Sequence, residues 1–184
     1  MADGEAWVYE ARYGWDLKTT GVVAVSALFT VALLLPTPEI SPYARVLGLP
    51  LFGVGGLLMT YIAMSRKVAL RIDETGVLLG GTPVRYRTTT AHVPWQDITA
   101  VVHWRQPRPA DIPWVGVVRR PGAAPLTGPG QGRRARATMQ ILVPHLPADV
   151  VLASRAVNGW RLDRARLAAA VAHFAPGTPV TDVG

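Results

Sequence analysis

Cysteine is absent from the 184 residues, lysine occurs twice, and serine occurs only once after residue 65. The missing cysteines exclude disulfides, a thiolate nucleophile and cysteine-ligated zinc, and they agree with a reducing compartment. The single late serine, Ser154, lies outside any Gly-x-Ser-x-Gly setting, so a nucleophile elbow is not written in the chain. The four histidines, His92, His103, His145 and His173, have neither His-x-x-x-His nor His-Glu spacing, so no metal site is expected. Gly128-x-Gly130-x-Gly132 lacks the strand and helix of a dinucleotide fingerprint and carries Pro129 inside, and no P-loop is present. No catalytic set and no cofactor follow from these residues.

Charge is missing from two long stretches. Thr19–Leu35 and Val46–Met64 contain no Asp, Glu, Lys, Arg or His. At about 1.5 Å per residue they reach roughly 25 and 28 Å, slightly under the ~30 Å hydrocarbon core of a bilayer. A soluble protein with two buried apolar helices is the competing reading, but a buried helix usually carries a polar residue in each turn. Here only Ser26 and Thr30 interrupt the first stretch, and Thr60 and Tyr61 the second. Acidic residues Asp3, Glu5, Glu10 and Asp16 crowd the place where a signal peptide is positive, so the first span is expected to be retained. The expectation is a two-span hairpin at 19–35 and 46–64, preceded by a tail over 1–18 that lies along the interface and followed by a cytoplasmic domain over 66–184.

Residues 1–65 hold three basic groups against five acidic ones, which leaves +9 for the remainder of a chain whose net charge is +7. A basic domain beside a bilayer is attracted to anionic lipid, at about 1 kcal/mol per Lys or Arg close to the surface, and nucleic acid is not required. Arg12, Lys18, Arg66, Lys67, Arg71 and Arg85 flank the outer ends of the spans, whereas the connecting loop offers only Arg45, so both termini are expected in the cytoplasm of a cell (inner) membrane. Trp7, Tyr9, Tyr13, Trp15 and Tyr43 stand where amphipathic rings favour the headgroup layer, and with Arg66 and Lys67 they are candidate interface anchors; packing of these rings on the soluble domain is the equal alternative. Ser26-x-x-x-Thr30 and Gly56-x-x-x-Thr60 have small-x-x-x-small spacing, which serves hairpin packing and homo-oligomer contacts alike. Pro50 predicts a helix that begins or bends there.

Beyond residue 66 the period changes. Val68–Asp73, a turn at Glu74-Thr-Gly76 and Val77–Gly80 read as a hairpin, with Gly76 supplying positive φ. Further strands are expected at Val84–Thr88, Ala91–Trp95, Ile98–Trp104, Trp114–Arg119 and Thr138–Val143. An amphipathic helix over about 160–175 carries Trp160, Leu167, Val171 and Phe174 on one stripe and ends at Ala175-Pro-Gly. Trp95 is expected to bury its ring at a sheet corner, with the Asp97 carboxylate accepting backbone N–H bonds in the turn.

Val68-Ala-Leu-Arg-Ile-Asp-Glu-Thr-Gly-Val, then Val93-Pro-Trp-Gln-Asp-Ile, then Asn158-Gly-Trp-Arg-Leu-Asp-Arg-Ala-Arg-Leu, resemble bacterial membrane proteins of the pleckstrin-homology-like family, of actinobacterial type. The resemblance covers about 66–180. It implies an α+β membrane protein, a transmembrane hairpin plus an antiparallel β-barrel or roll capped by the C-terminal helix, with a domain that is usually non-catalytic. The glycine-rich insertion between Arg119 and Thr138 departs from compact members of that family.

That insertion carries Arg119, Arg120, Arg133, Arg134 and Arg136 around a stretch read as too rich in Gly and Pro for helix or strand, and Arg105 and Arg108 lie in the proline-stiffened loop before Trp114. Forked guanidinium groups converging there would hold phosphate or carboxylate; a solvated loop is the plainer alternative. The functional expectation is a non-catalytic membrane-anchored adaptor or scaffold that binds a protein partner or helps assemble a membrane complex. The alternatives are an anionic-lipid headgroup sensor acting through the arginine loop, and an accessory subunit of a membrane enzyme or transporter.

Overall fold

A computed structural model describes residues 7–37, 40–106, 111–126 and 133–183, without the side chains of 133–135. Tyr13–Arg66 form one compact unit, and the described residues up to Arg12 together with those from Lys67 onward form another.

The first unit is a helical hairpin. Helix α1 spans Leu17–Leu34, capped by Asp16 Oδ1, which accepts from Thr19 N at 2.6 Å. The returning helix runs from Pro42 to Met64: α2 (Pro42–Gly48) under a Ser41 cap, one π-helical stretch (Leu49–Val54), and α3 (Gly55–Met64). Pro50 lies inside the π-helical stretch, which is how the helix absorbs a residue without an N–H donor. Ser26 and Gly56 face each other, and a Cβ at Gly56 would lie 2.9 Å from the Ser26 Cβ, so the small residues serve contact within the hairpin. The Thr30 and Thr60 hydroxyls donate to the Ser26 and Gly56 carbonyls, at 2.7 and 2.9 Å, leaving neither donor unsatisfied. Phe29 stacks on Phe52 with centroids 4.7 Å apart. Both helices are long and apolar enough to cross a membrane, yet only 6% and 11% of their apolar windows are buried. The core helix of a soluble protein would bury most of its surface; these face outward.

The second unit holds two four-stranded sheets. The first has the order β1 (Tyr9–Arg12), β2 (Val68–Asp73), β3 (Gly76–Leu79) and β4 (Ala91–Pro94), all antiparallel. The interfacial tail thus gives way at Tyr9: Tyr9 pairs with Ile72, and Tyr9 and Ala11 are buried. The hairpin is therefore inserted between two adjacent strands of one sheet rather than attached to the start of a domain. Gly76 has φ +144°, and a Cβ there would overlap the Val93 carbonyl, so β3 and β4 require glycine for their approach.

The second sheet has the order β7 (Ser154–Ala156), β6 (Pro113–Arg119), β5 (Ile98–Arg105) and β8 (Val180–Asp182), with β8 parallel to β5. Of the expected antiparallel barrel or roll, the structure has two four-stranded sheets that do not close into a barrel, the second with one parallel strand. One face of the second sheet, bearing Val102 and Trp104, packs with Val143, Leu146, Val150 and Val151. Val150 and Val151 belong to α6 (Ala148–Leu152), Val143 and Leu146 to the segment joining it to α5 (Arg133–Leu142), and Met139 of α5 packs against them. Helix α7 (Arg164–Phe174) buries Leu167, Ala170 and Val171 and packs on β1 and β2. Trp160 stands before this helix, buried, its Nε1 donating to Ala156 O at 2.9 Å.

Two expected strands are helical. In Val84–Thr88 the chain forms a 3₁₀ turn (Pro83–Arg85) and the short helix α4 (Tyr86–Thr89). Thr88 and Thr89 bond back to Arg85 O and Thr90 to Tyr86 O, so the threonines stabilise turns instead of a ladder. Thr138–Val143 belongs to α5 and its end, contrary to the loop-then-strand reading of the insertion. Val143 N donates to Met139 O at 2.8 Å at the end of α5, and Met139, Val143 and Leu146 pack at the same core.

Candidate functional site

Of the five arginines expected to converge around the insertion, Arg119, Arg120 and Arg136 have described side chains, and each is held by its own partner; Arg105, from the other candidate loop, stands at the far end of the β5–β6 ladder. Arg105 ends β5 opposite Pro113, and Arg119 ends β6 opposite Ile98. The ladder between them is seven steps long, roughly 24 Å at ~3.4 Å per residue, so one headgroup cannot bridge both. Arg105 Nη1 lies 3.1 Å from Asp111 Oδ1, an exposed pair of about 0–1 kcal/mol. Arg119 donates to the Ala124 carbonyl, and Arg120 Nε to Gln96 O at 3.1 Å. Arg136 pairs with Asp149 of α6 at 3.0 Å. Arg108 and the side chains of Arg133 and Arg134 lie outside the described residues. The arginines that are described hold loop ends and α5 in place.

The anchors divide similarly. Trp7 stacks on His173 of α7, centroids 4.8 Å apart and planes within 10°, so its ring packs on the domain. Tyr9 is buried and its Oη accepts from Asp163 N at 3.0 Å; burial, partly offset by that bond, raises its pKa. Trp15 and Tyr43 are exposed within the hairpin unit, and Tyr13 is half-buried. Arg45 Nη2 donates to Leu35 O and Thr37 O, both at 2.9 Å, satisfying carbonyls past the end of α1. Arg66 has φ +48°, a sharp exit from the helix.

Three polar groupings were not anticipated. At the β2–β3 tip, Thr75 Oγ1 donates to Asp73 Oδ1 at 2.6 Å and lies 3.0 Å from His92 Nε2, while Trp95 Nε1 donates to Asp73 O at 2.8 Å. Burial acts to raise the Asp73 pKa, but bonds from Thr75 and the charge and bond of Arg71 outweigh it, so the carboxyl is held below its ordinary value. This chain of bonds fastens the turn and pins Trp95. The turn after Trp95 is closed by the Ile98 N–H, which donates to Trp95 O, while the Asp97 carbonyl accepts Arg120 N at 2.8 Å from the end of β6.

The second grouping is His103, buried on β5 beside Asp182 of β8, with neither ring nitrogen bonded among the described residues. Burial lowers its pKa, as does Arg164, while Asp182 acts in the opposite direction. The third joins Lys67 and Val68 to the turn after β3. Lys67 Nζ donates to Pro83 O at 2.7 Å and lies 5.5 Å from the Tyr86 ring centre, and Tyr86 Oη donates to Val68 O at 2.9 Å. Reading Val84–Thr88 as a strand hid it, because a strand cannot fold back on residue 67.

Among the described residues no group of three or more His, Asp or Glu is placed to hold a metal ion. Trp104 Nε1 donates to Ser154 Oγ at 3.0 Å, and Ser154 to Val150 O at 2.7 Å, so the late serine is a buried structural link. Comparison of the chain with protein-family models, with curated proteins and with solved structures found no match in any of the three.

Proposed function

We propose that this protein is a membrane-anchored, non-catalytic adaptor whose pleckstrin-homology-like domain presents its loops and sheet edges to a protein partner in or beside an inner membrane. One observation carries the reading: β1 precedes the hairpin, β2 follows it, and the two pair directly. Strands bonded in one sheet occupy one aqueous compartment, so a segment joining them that enters the bilayer crosses it an even number of times. The outward-facing apolar helices supply two crossings. Connectors of only four residues (13–16) and three residues (65–67) tether the domain at two points, which confines it to membrane-neighbouring partners at high local concentration. The bias of Lys and Arg toward the outer flanks favours a cytoplasmic domain.

The order of elements supports the pleckstrin-homology-like reading: four antiparallel strands, three more, then a helix. The hairpin enters between β1 and β2, α5 and α6 enter between β6 and β7, and β8 is added after α7.

Purification of the intact chain in mild detergent recovers a stoichiometric companion protein; repeated recovery of the chain alone overturns the adaptor reading. Orientation is measured separately in this cysteine-free chain. Cysteine in place of Ser41 reacts with an impermeant maleimide from outside the cell, and cysteine in place of Glu74 does so only after lysis.

A further inference from the structure

We propose that the turn Pro83–Thr89 is a second membrane contact, a basic and apolar pad that lies on anionic phospholipid headgroups of the bilayer holding the hairpin. The inference rests on the membrane-anchored reading and adds a surface to it. Lys67 stands three residues beyond Met64, the last residue of α3. The Lys67 ammonium bonds Pro83 O, and the Tyr86 hydroxyl bonds Val68 O. These two bonds fasten the turn to the first residues after the span, so chain length keeps it close to the bilayer surface. Arg155 secures the neighbouring backbone, donating from Nε to Gly80 O at 2.8 Å and from Nη2 to Thr89 O at 2.9 Å.

Its exposed side chains have the chemistry of an interface. Val84 is 59% exposed although Pro83 beside it is buried, and Arg85 and Arg87 are both exposed. No acidic residue occurs between Gly80 and Gln96, and among the described residues neither Arg85 nor Arg87 forms an ion pair, whereas Arg71 on β2 is paired with Glu10 and Asp73. An apolar side chain flanked by two arginines enters the boundary of headgroups and acyl chains while the guanidinium groups stay among phosphates. A soluble partner with an acidic surface would answer the same charges, but the bilayer is the anion source that two short connectors hold beside the pad.

The test uses the full-length protein with one cysteine introduced, Val84→Cys or Glu74→Cys, carrying an environment-sensitive fluorophore. It is reconstituted in phosphatidylcholine vesicles with or without phosphatidylglycerol. Flotation with the vesicles reports anchoring independently of the pad. In vesicles containing phosphatidylglycerol the label at 84 is protected from acrylamide roughly fivefold or more relative to the label at 74, about the factor one basic side chain contributes near an anionic surface. It is also quenched by a lipid-borne nitroxide. Arg85→Ala with Arg87→Ala removes most of this protection, and the corresponding double Lys variant keeps it. Equal acrylamide quenching at 84 and 74, protection that is the same without phosphatidylglycerol, or protection unchanged in the double Ala variant each overturns the proposal.

Discussion

Buried polar side chains separate what is fastened from what is merely enclosed. Ser154 accepts the Trp104 indole N–H and donates onward to Val150 O, so its hydroxyl satisfies a ring with 1% of its surface exposed. Ser154→Ala leaves that indole N–H buried without an acceptor, at a cost of about 1–3 kcal/mol, read as a lower denaturant midpoint in detergent micelles. His103 is enclosed without a bonding partner among the described residues. Because its folded pKa is lowered, the unfolded chain binds the proton first as pH falls. The stability it allows is present above the unfolded value near 6.5 and is lost as pH drops from there through the folded pKa. A pH series of unfolding midpoints is expected to decline over that window in the wild type, and to lose that component in His103→Leu.

Elements were legible where their signal was local. The two apolar helices announce themselves because neither carries a charged residue on any side over Thr19–Leu34 and Val46–Met64, and the hairpin β2–β3 does so by alternation around a turn. The strands expected at Val84–Thr88 and Thr138–Val143 failed because segments this short fit both periods until something decides which face is buried. Threonine back-bonding decided the first, and the packing of Met139, Val143 and Leu146 into the core that holds Trp104 the second. The hairpin also resolves what spacing left open, since Ser26 and Gly56 meet within one chain. Cysteines placed together at 26 and 56 are expected to oxidise within the monomer after a small backbone shift, as their Cβ atoms start nearer than the ~3.5–4.5 Å of a disulfide. A crosslinked dimer on a non-reducing gel would contradict that packing.

At the scale of the whole molecule, the notable feature is an apolar helical hairpin inserted in the chain between two adjacent strands of one sheet. Arg12 pairs with Val68 across the ends of an antiparallel ladder, so a short turn can join β1 to β2. Replacing residues 13–66 by a four-residue glycine-containing turn is expected to yield a soluble monomer that unfolds cooperatively. Removing residues 1–66 altogether loses Tyr9 and Ala11 from the core and is expected to lower stability by about 3 kcal/mol or more. Equal stability of the two forms, measured by denaturant titration, would mean that β1 contributes nothing. The arginine candidates belong to this scale too, for their separation came from strand register, a quantity no single segment contains.

The sequence by itself determined the two apolar spans, the β-rich basic domain with a helix near its end, and the absence of disulfide chemistry. Each depends on the composition and periodicity of contiguous residues. Only the tertiary structure decided that Tyr9–Arg12 belongs to the first sheet, that the sheets stay open, that Arg105 and Arg119 stand at opposite ends of a ladder, and that Pro83–Thr89 folds back onto Lys67. Those outcomes depend on pairing between residues as far apart as Arg12 and Val68. Pairing is selected by what the assembled faces bury together, and that information is distributed over strands far apart in the chain.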